Sequence, residues 1–213
     1  MTGLVLAAAG SGRRFGSEVP KQFLELRGRP LYLHSLETFL TYCGCAVVVV
    51  PPDHVDQAEG EVKNLQGGER ILVRPGGEQR QDSVRRGLEA LPEDADLVLV
   101  HDAARPFCSS ALIERVIESA RLHGGCIPVL PLSDTVKEVE EGQVVRTLER
   151  SRLRRVQTPQ GFRRPILEEA VRRAAQDGFV GTDEASLVER LGRPVRTVEG
   201  EAANVKITWR EDL

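Results

Sequence analysis

The chain has 213 residues, 40% of them hydrophobic and 29% charged, with a formal net charge of −3. That is enough apolar material for one sizeable core, which excludes a disordered tail, and the near-neutral balance excludes a general nucleic-acid coat. No apolar run approaches the ~20 residues of a bilayer span, and no basic segment precedes the first apolar run, so the expectation is a cytoplasmic protein without a membrane span or export signal.

Gly3 to Ala8 is a short apolar strand that runs into a Gly-rich turn. Leu33, Leu36, Leu40 and Cys43 recur at helical spacing, with Pro30 suited to the first turn. Ala46 to Val50 is an unalternating β-branched run, the mark of a strand buried on both faces, and Pro51 and Pro52 stop it. Asp53 opens a polar helix, Ile71 to Val73 is a third strand, and Asp82 caps a helix reaching Leu91. Leu97 to Val100 is another unbroken strand, followed by a helix whose apolar face carries Leu112, Ile113, Val116, Ile117 and Ala120. This alternation predicts an α/β, doubly wound, mostly parallel sheet.

The pattern breaks after Pro131. Thr135 to Val139 and Val144 to Leu148 flank a turn at Glu140–Gly142, which predicts a β-hairpin inserted as an arm over about residues 133–156 of one domain spanning 1–213. The basic run Arg150 to Arg155 follows. Helical spacing returns from Ile166 to Ala174 and from Asp183 to Leu191, and Val195–Val198 and Asn204–Ile207 are expected as closing strands.

Cys43, Cys45, Cys108 and Cys126 lack metal-ligand or redox spacing and read as buried thiols in a reducing compartment, and the four histidines show no ligand spacing either. The chemistry concentrates in LAAAGSGRRFGSEVPKQF, Leu6 to Phe23. Glycines let successive backbone N–H groups curl around an anion, and Arg13, Arg14 and Lys21 add charge suited to a polyphosphate. Neither the dinucleotide nor the P-loop glycine spacing is present.

AAAGSGRRFG with PKQF resembles the nucleotidyltransferase signature of the 2-C-methyl-D-erythritol 4-phosphate cytidylyltransferase family. GGEQRQDSV (Gly76 to Val84), HDAARPF (His101 to Phe107), DTVK (Asp134 to Lys137), QTPQ (Gln157 to Gln160), TDEAS (Thr182 to Ser186) and NVKIT (Asn204 to Thr208) are similar to that family's further motifs, in its order. Ala7 stands where many members carry Pro, and many members continue past Leu213 through another helix.

The resemblance implies transfer of a cytidylyl group from CTP to methylerythritol phosphate, with Mg²⁺ held mainly by phosphate oxygens and no dedicated metal residues. It implies Arg14 and Lys21 as the charge-stabilising pair on the triphosphate, Lys206 as the lysine orienting the attacking phosphate, and Arg150 as an arginine reaching from the arm into a neighbouring subunit, so that a homodimer completes the site. It implies Ala8, Ala9, Gly10, Gly77 and Ser83 around the base, Gly12 among the nucleotide contacts, Glu78 and Ala103 near the ribose, and Asp102, Arg105, Thr135, Thr158 and Thr182 on the polyol phosphate. The chemistry agrees: a phosphate monoester with a second pKa of about 6 needs no general base at neutral pH, so fixed cations and proximity must carry the rate.

Other readings remain for some residues. Arg80 is open between a nucleotide contact and a structural ion pair, and Thr182 with Asp183 reads equally as a helix start with Glu184 and Ser186 exposed. A ribitol 5-phosphate cytidylyltransferase is the alternative function; Ala8, Ala9 and Ala104 favour methylerythritol phosphate. A dinucleotide oxidoreductase lacks the acidic residue that should end the second strand. A catalytically dead nucleotide binder would not need Arg14, Lys21 and Lys206 together.

Overall fold

The computed structural model describes residues 1–10 and 19–212. The first half alternates as the hydrophobic pattern predicts: β1 (Thr2–Ala7), a small ribbon of β2 (Glu25–Leu26) and β3 (Arg29–Pro30), α1 (Leu31–Leu40), β4 (Cys45–Val50), α2 (Val55–Lys63), β5 (Ile71–Pro75), α3 (Arg80–Ala90), β6 (Leu97–Asp102) and α4 (Ser110–His123). The second half is richer in strands: β7 (Gly125–Pro131), β8 (Lys137–Glu140), β9 (Gln143–Thr147), β10 (Arg154–Val156), β11 (Gln160–Arg163), α5 (Arg164–Gln176), α6 (Glu184–Arg190) and β12 (Arg196–Glu199).

β1 lies inside the sheet, paired in parallel with β4 on one side and β6 on the other, and β5 extends the β4 side. β4 and β6 are buried along their whole lengths because helices cover both faces. Ala46, Val48 and Val50 point into one core with α1, α2 and α4, while Val47 and Val49 point into the other with α3, α5 and α6. The chain leaves β1 toward β4 and later crosses back to β6, so the direction of winding reverses between β1 and β6. A crevice therefore opens beyond their carboxyl ends.

The far half of the sheet is mixed. β11 runs antiparallel between β6 and β7, β10 is antiparallel to β7, and β12 is parallel to β7. β8 and β9 form a separate two-stranded arm, as predicted, turning at Glu141 (φ 49°) and Gly142 (φ 80°). Such left-handed pairs match the twist of a two-residue hairpin turn. Val139, Val144 and Val145 are exposed on it.

Two expectations about elements are corrected. Asn204–Ile207 is not a strand: its backbone turns to the loop ends beneath it, Ile207 N donating to Ala104 O at 2.8 Å and Asn204 O accepting from Arg105 and Gln157. Asp82 does not sit at the start of α3; Gln79 is the cap, and Asp82, three residues on, returns a bond to the Gln79 N–H in a capping box.

Candidate active site

β1 delivers Ala8, Ala9 and Gly10 to the mouth of the crevice, where Ala8 N bonds Val49 O at 2.8 Å. Gln22, buried on the short 3-10 turn Lys21–Phe23, donates to Ala8 O at 2.5 Å and Gly10 O at 3.1 Å and so sets the shape of the loop. Phe23 anchors that turn against Tyr32 and His54. Opposite, Gly76 N bonds Val50 O at 2.7 Å, and Ser83 Oγ accepts from Gly77 N and donates to Gln79 O, both at 3.1 Å. A Cβ on Gly76 would collide with the Ala9 side chain, and one on Gly77 with that of Asp82. Glycines there bring two backbone segments close and leave a slot bounded by small residues.

These segments line one wall of a cavity of about 630 Å³, and charged side chains line the rest. Asp102, at the end of β6, accepts from Arg80 Nε at 3.2 Å on one oxygen and from Lys206 Nζ at 2.6 Å on the other. Arg80 places both terminal nitrogens on Glu184, at 2.6 and 3.0 Å. Burial pushes the Asp102 carboxyl up, but Arg80, Lys206 and Arg105 outweigh it and hold the group below its ordinary range. Burial likewise works against the charge on Arg80, and Glu184 and Asp102 more than restore it. Lys21 Nζ donates to Ile207 O at 2.9 Å, so the lysine of the PKQF motif meets the segment that carries Lys206.

The predicted residues divide accordingly. Ala8, Ala9, Gly10, Lys21, Gly77, Glu78, Ser83, Asp102, Ala103 and Lys206 all line this cavity. Gly12 and Arg14 lie outside the described residues. Arg105 and Thr158 do not line the cavity but sit beneath it. The Arg105 guanidinium donates to Asn204 O at 2.7 Å, and Thr158 Oγ1 accepts from Asp102 N at 3.1 Å and bridges to His101 Nδ1 at 3.0 Å. Both brace the end of β6 from behind: Thr158 Oγ1 meets Asp102 N directly, and Arg105, anchored on Asn204 O, keeps its Nε buried without a hydrogen-bond partner, 4.0 Å from an Asp102 oxygen. Thr135 and Thr182 are exposed and do not line the cavity. Arg150 is exposed at the base of the arm, its guanidinium on Ser133 O, and does not line it either.

Glu184 corrects the sequence reading: it is 1% exposed rather than on the surface. Asp183 is the cap of α6, accepting from Ser186 N at 3.0 Å, which turns Glu184 inward. Arg80 is both an ion-pair partner and a cavity residue. Gln22, Gln79 and Thr208 line the cavity without having been singled out, and Ala104, which the sequence used only to favour one acceptor, lines it too; Gln22 was signalled only by its place in PKQF. His101 is fully buried, its ring nitrogens occupied by Thr158 Oγ1 and Arg105 O, and burial lowers its pKa to about 4. It takes no part in proton transfer at the cavity. Among the described residues no cluster of three or more His, Cys, Asp or Glu could hold a metal, and both Asp102 oxygens already face cations.

Comparison with known proteins converges on one family. Residues 2–213 match the family described as IspD, 2-C-methyl-D-erythritol 4-phosphate cytidylyltransferase. A protein of that name from Syntrophus aciditrophicus is 42% identical over 213 residues, covering 98% of this chain and 91% of its own. A bifunctional enzyme IspD/IspF from Nitratidesulfovibrio vulgaris is 47% identical over 222 residues; the match takes in all of this chain but only 56% of that enzyme, so the chain spans little more than half of it. The crystal structure of the Thermus thermophilus cytidylyltransferase superposes with a TM-score of 0.81 at 39% identity, covering 98% of this chain and 93% of the other. A synthase structure from Anaerococcus prevotii gives 0.87 at 29% identity over 100% and 94%. Fold, crevice and family match agree, and the chain belongs to the IspD family of 2-C-methyl-D-erythritol 4-phosphate cytidylyltransferases.

Proposed function

We propose that this chain transfers the cytidylyl group of CTP to the phosphate of 2-C-methyl-D-erythritol 4-phosphate, releasing pyrophosphate. The observation that carries the reading is the meeting of Lys21 and Lys206 at one cavity, the first on Ile207 O and the second on Asp102. Two anions must approach there, and cations fixed by backbone and carboxylate reduce their repulsion without reorganising.

The pyrimidine takes the slot between Ala8–Gly10 and Gly77–Ser83, with Glu78 and Ala103 on the ribose side. A phosphate-monoester oxygen attacks the α-phosphorus, the new P–O bond forms in line, and the bond to the bridging oxygen of pyrophosphate breaks. Lys21 with Arg14 neutralises charge on the triphosphate; Lys206 holds the attacking phosphate; Asp102 accepts polyol hydroxyls. Arg105 and Thr158 act indirectly, by holding Asp102. A divalent cation would be held mainly by the phosphate oxygens of the triphosphate, where it would neutralise their charge.

The chain works as one domain, with its arm at about 133–156 packed on a second copy, so that Arg150 and Thr135 serve the partner's cavity. The exposed valines of the arm support this, as does a cavity lining that does not include the chain's own Arg150. Four buried, unpaired cysteines and the lack of a membrane-crossing helix among the described residues suit a cytoplasmic address.

Pyrophosphate release tests the reading. CTP with methylerythritol phosphate should turn over faster than UTP, ATP or GTP with the same acceptor, and faster than CTP with ribitol 5-phosphate. No release with the first pair, or faster release with ribitol 5-phosphate, refutes it.

A further inference from the structure

We propose that Glu184 is a positioning residue for the acceptor: by holding the fork of Arg80, it keeps the Asp102 carboxylate open toward the cavity. The proposal rests on the function proposed above. Four side chains form a line of alternating charge, Glu184, Arg80, Asp102 and Lys206, in which Glu184 is 1% exposed and Asp102 8%. The guanidinium spends both terminal nitrogens on Glu184 and gives Asp102 only its Nε–H. A carboxylate offers about four acceptor positions. Asp102, which lines the cavity, uses one on Arg80 and one on Lys206, and Arg105 Nε stands 4.0 Å from the second oxygen, so acceptor positions remain for hydroxyl groups of a polyol.

Without the charge on Glu184 this arrangement is no longer the best one for Arg80. The planar fork pairs most favourably with a carboxylate by two parallel N–H···O bonds, and Asp102 is the other carboxylate it already touches. A fork turned onto Asp102 would cover the acceptor positions meant for hydroxyls and weaken the hold on Lys206. The effect falls on the acceptor because the base slot is built from backbone around Ala8–Gly10 and Gly77, which Glu184 does not touch. Glu184 itself does not line the cavity, so it acts through Arg80 rather than on substrate.

Steady-state kinetics on the whole chain test this with Glu184→Gln, Glu184→Asp and the double variant Glu184→Gln with Arg80→Gln. Glu184→Gln is expected to raise KM for methylerythritol phosphate about tenfold while KM for CTP moves about twofold or less, the split expected when one substrate's contacts are lost. Glu184→Asp keeps the charge one methylene short and should fall between. The double variant removes the freed fork, so its KM for the acceptor should drop below that of Glu184→Gln. Equal shifts for both substrates, no shift, or a further rise in the double variant overturns the proposal. If Glu184→Gln does not fold, Glu184→Asp decides by the same split, its absence counting against. An inactive wild-type chain sinks the proposed function and this inference together; an active wild type with unsplit variants sinks only this one.

Discussion

Asp102 stays ionised in a place where burial favours the neutral acid, since the charges of Arg80, Lys206 and Arg105 outweigh desolvation. For its neighbour His101 the balance falls the other way: burial outweighs the support of Arg105 O and the Asp102 charge, lowers the pKa from 6.5 to about 4, and leaves the ring neutral. The folded chain therefore holds fewer protons on His101 than the unfolded chain between these values. Stability from this residue is complete above pH 6.5 and is lost as pH falls toward 4, at up to ~1.4 kcal/mol per pH unit. Ring NMR signals of His101 should stay in their neutral positions until about pH 4; titration near 6.5 would refute the buried-neutral assignment. His101 was visible in the sequence as part of HDAARPF, but its role was not, because a histidine beside an aspartate reads the same whether it faces substrate or core.

The elements that position the site do so by close approach. Gly87 lets α3 lie against the sheet: a Cβ there would stand 2.5 Å from Val5 Cγ1 and 3.0 Å from Val49 Cγ2. Gly87→Ala should lower stability by ~1–3 kcal/mol, the usual cost of overpacking, and displace the first turn of α3 with Arg80 and Ser83. A lower melting temperature accompanied by a raised KM for CTP is the expected result; an unchanged melting temperature would show that the helix moves away freely. The parallel half of the sheet was legible because β4 and β6 are unbroken apolar runs that only a covered strand tolerates. β10 and β11, RRV and QGFR, carry no such pattern; their pairing with β7 and β6 supplies the strand conformation. Asn204–Ile207 alternates like a strand, and Ile207 is fully buried while Val205 is exposed, yet neighbouring loops take its backbone bonds.

At the scale of the whole molecule, residues from both ends of the chain meet at one cavity, whose lining does not include Arg150 at the base of the arm. Lys21→Ala and Arg150→Ala should each cut turnover by ~10²–10³-fold, the usual cost of losing one preorganised charge donor. If Arg150 serves a partner, an equimolar mixture of the two variants after subunit exchange should regain about a quarter of wild-type turnover, because half the dimers are hybrids with one of two sites intact. No recovery despite demonstrated exchange would place Arg150 outside the reaction.

The residues alone determined the α/β class, the central strands, the arm and the buried thiols, since each follows from local spacing or from a contiguous motif. Only the tertiary structure decided that Arg105 and Thr158 support the site from beneath, that Glu184 is buried on Arg80, and that Lys21 rests on Ile207. Those facts depend on which carbonyls and carboxylates lie within about 3 Å after the sheet has closed. Pairings between residues so far apart in the chain leave no trace in local pattern, so the ordering of charges around Asp102 exists only in the folded chain.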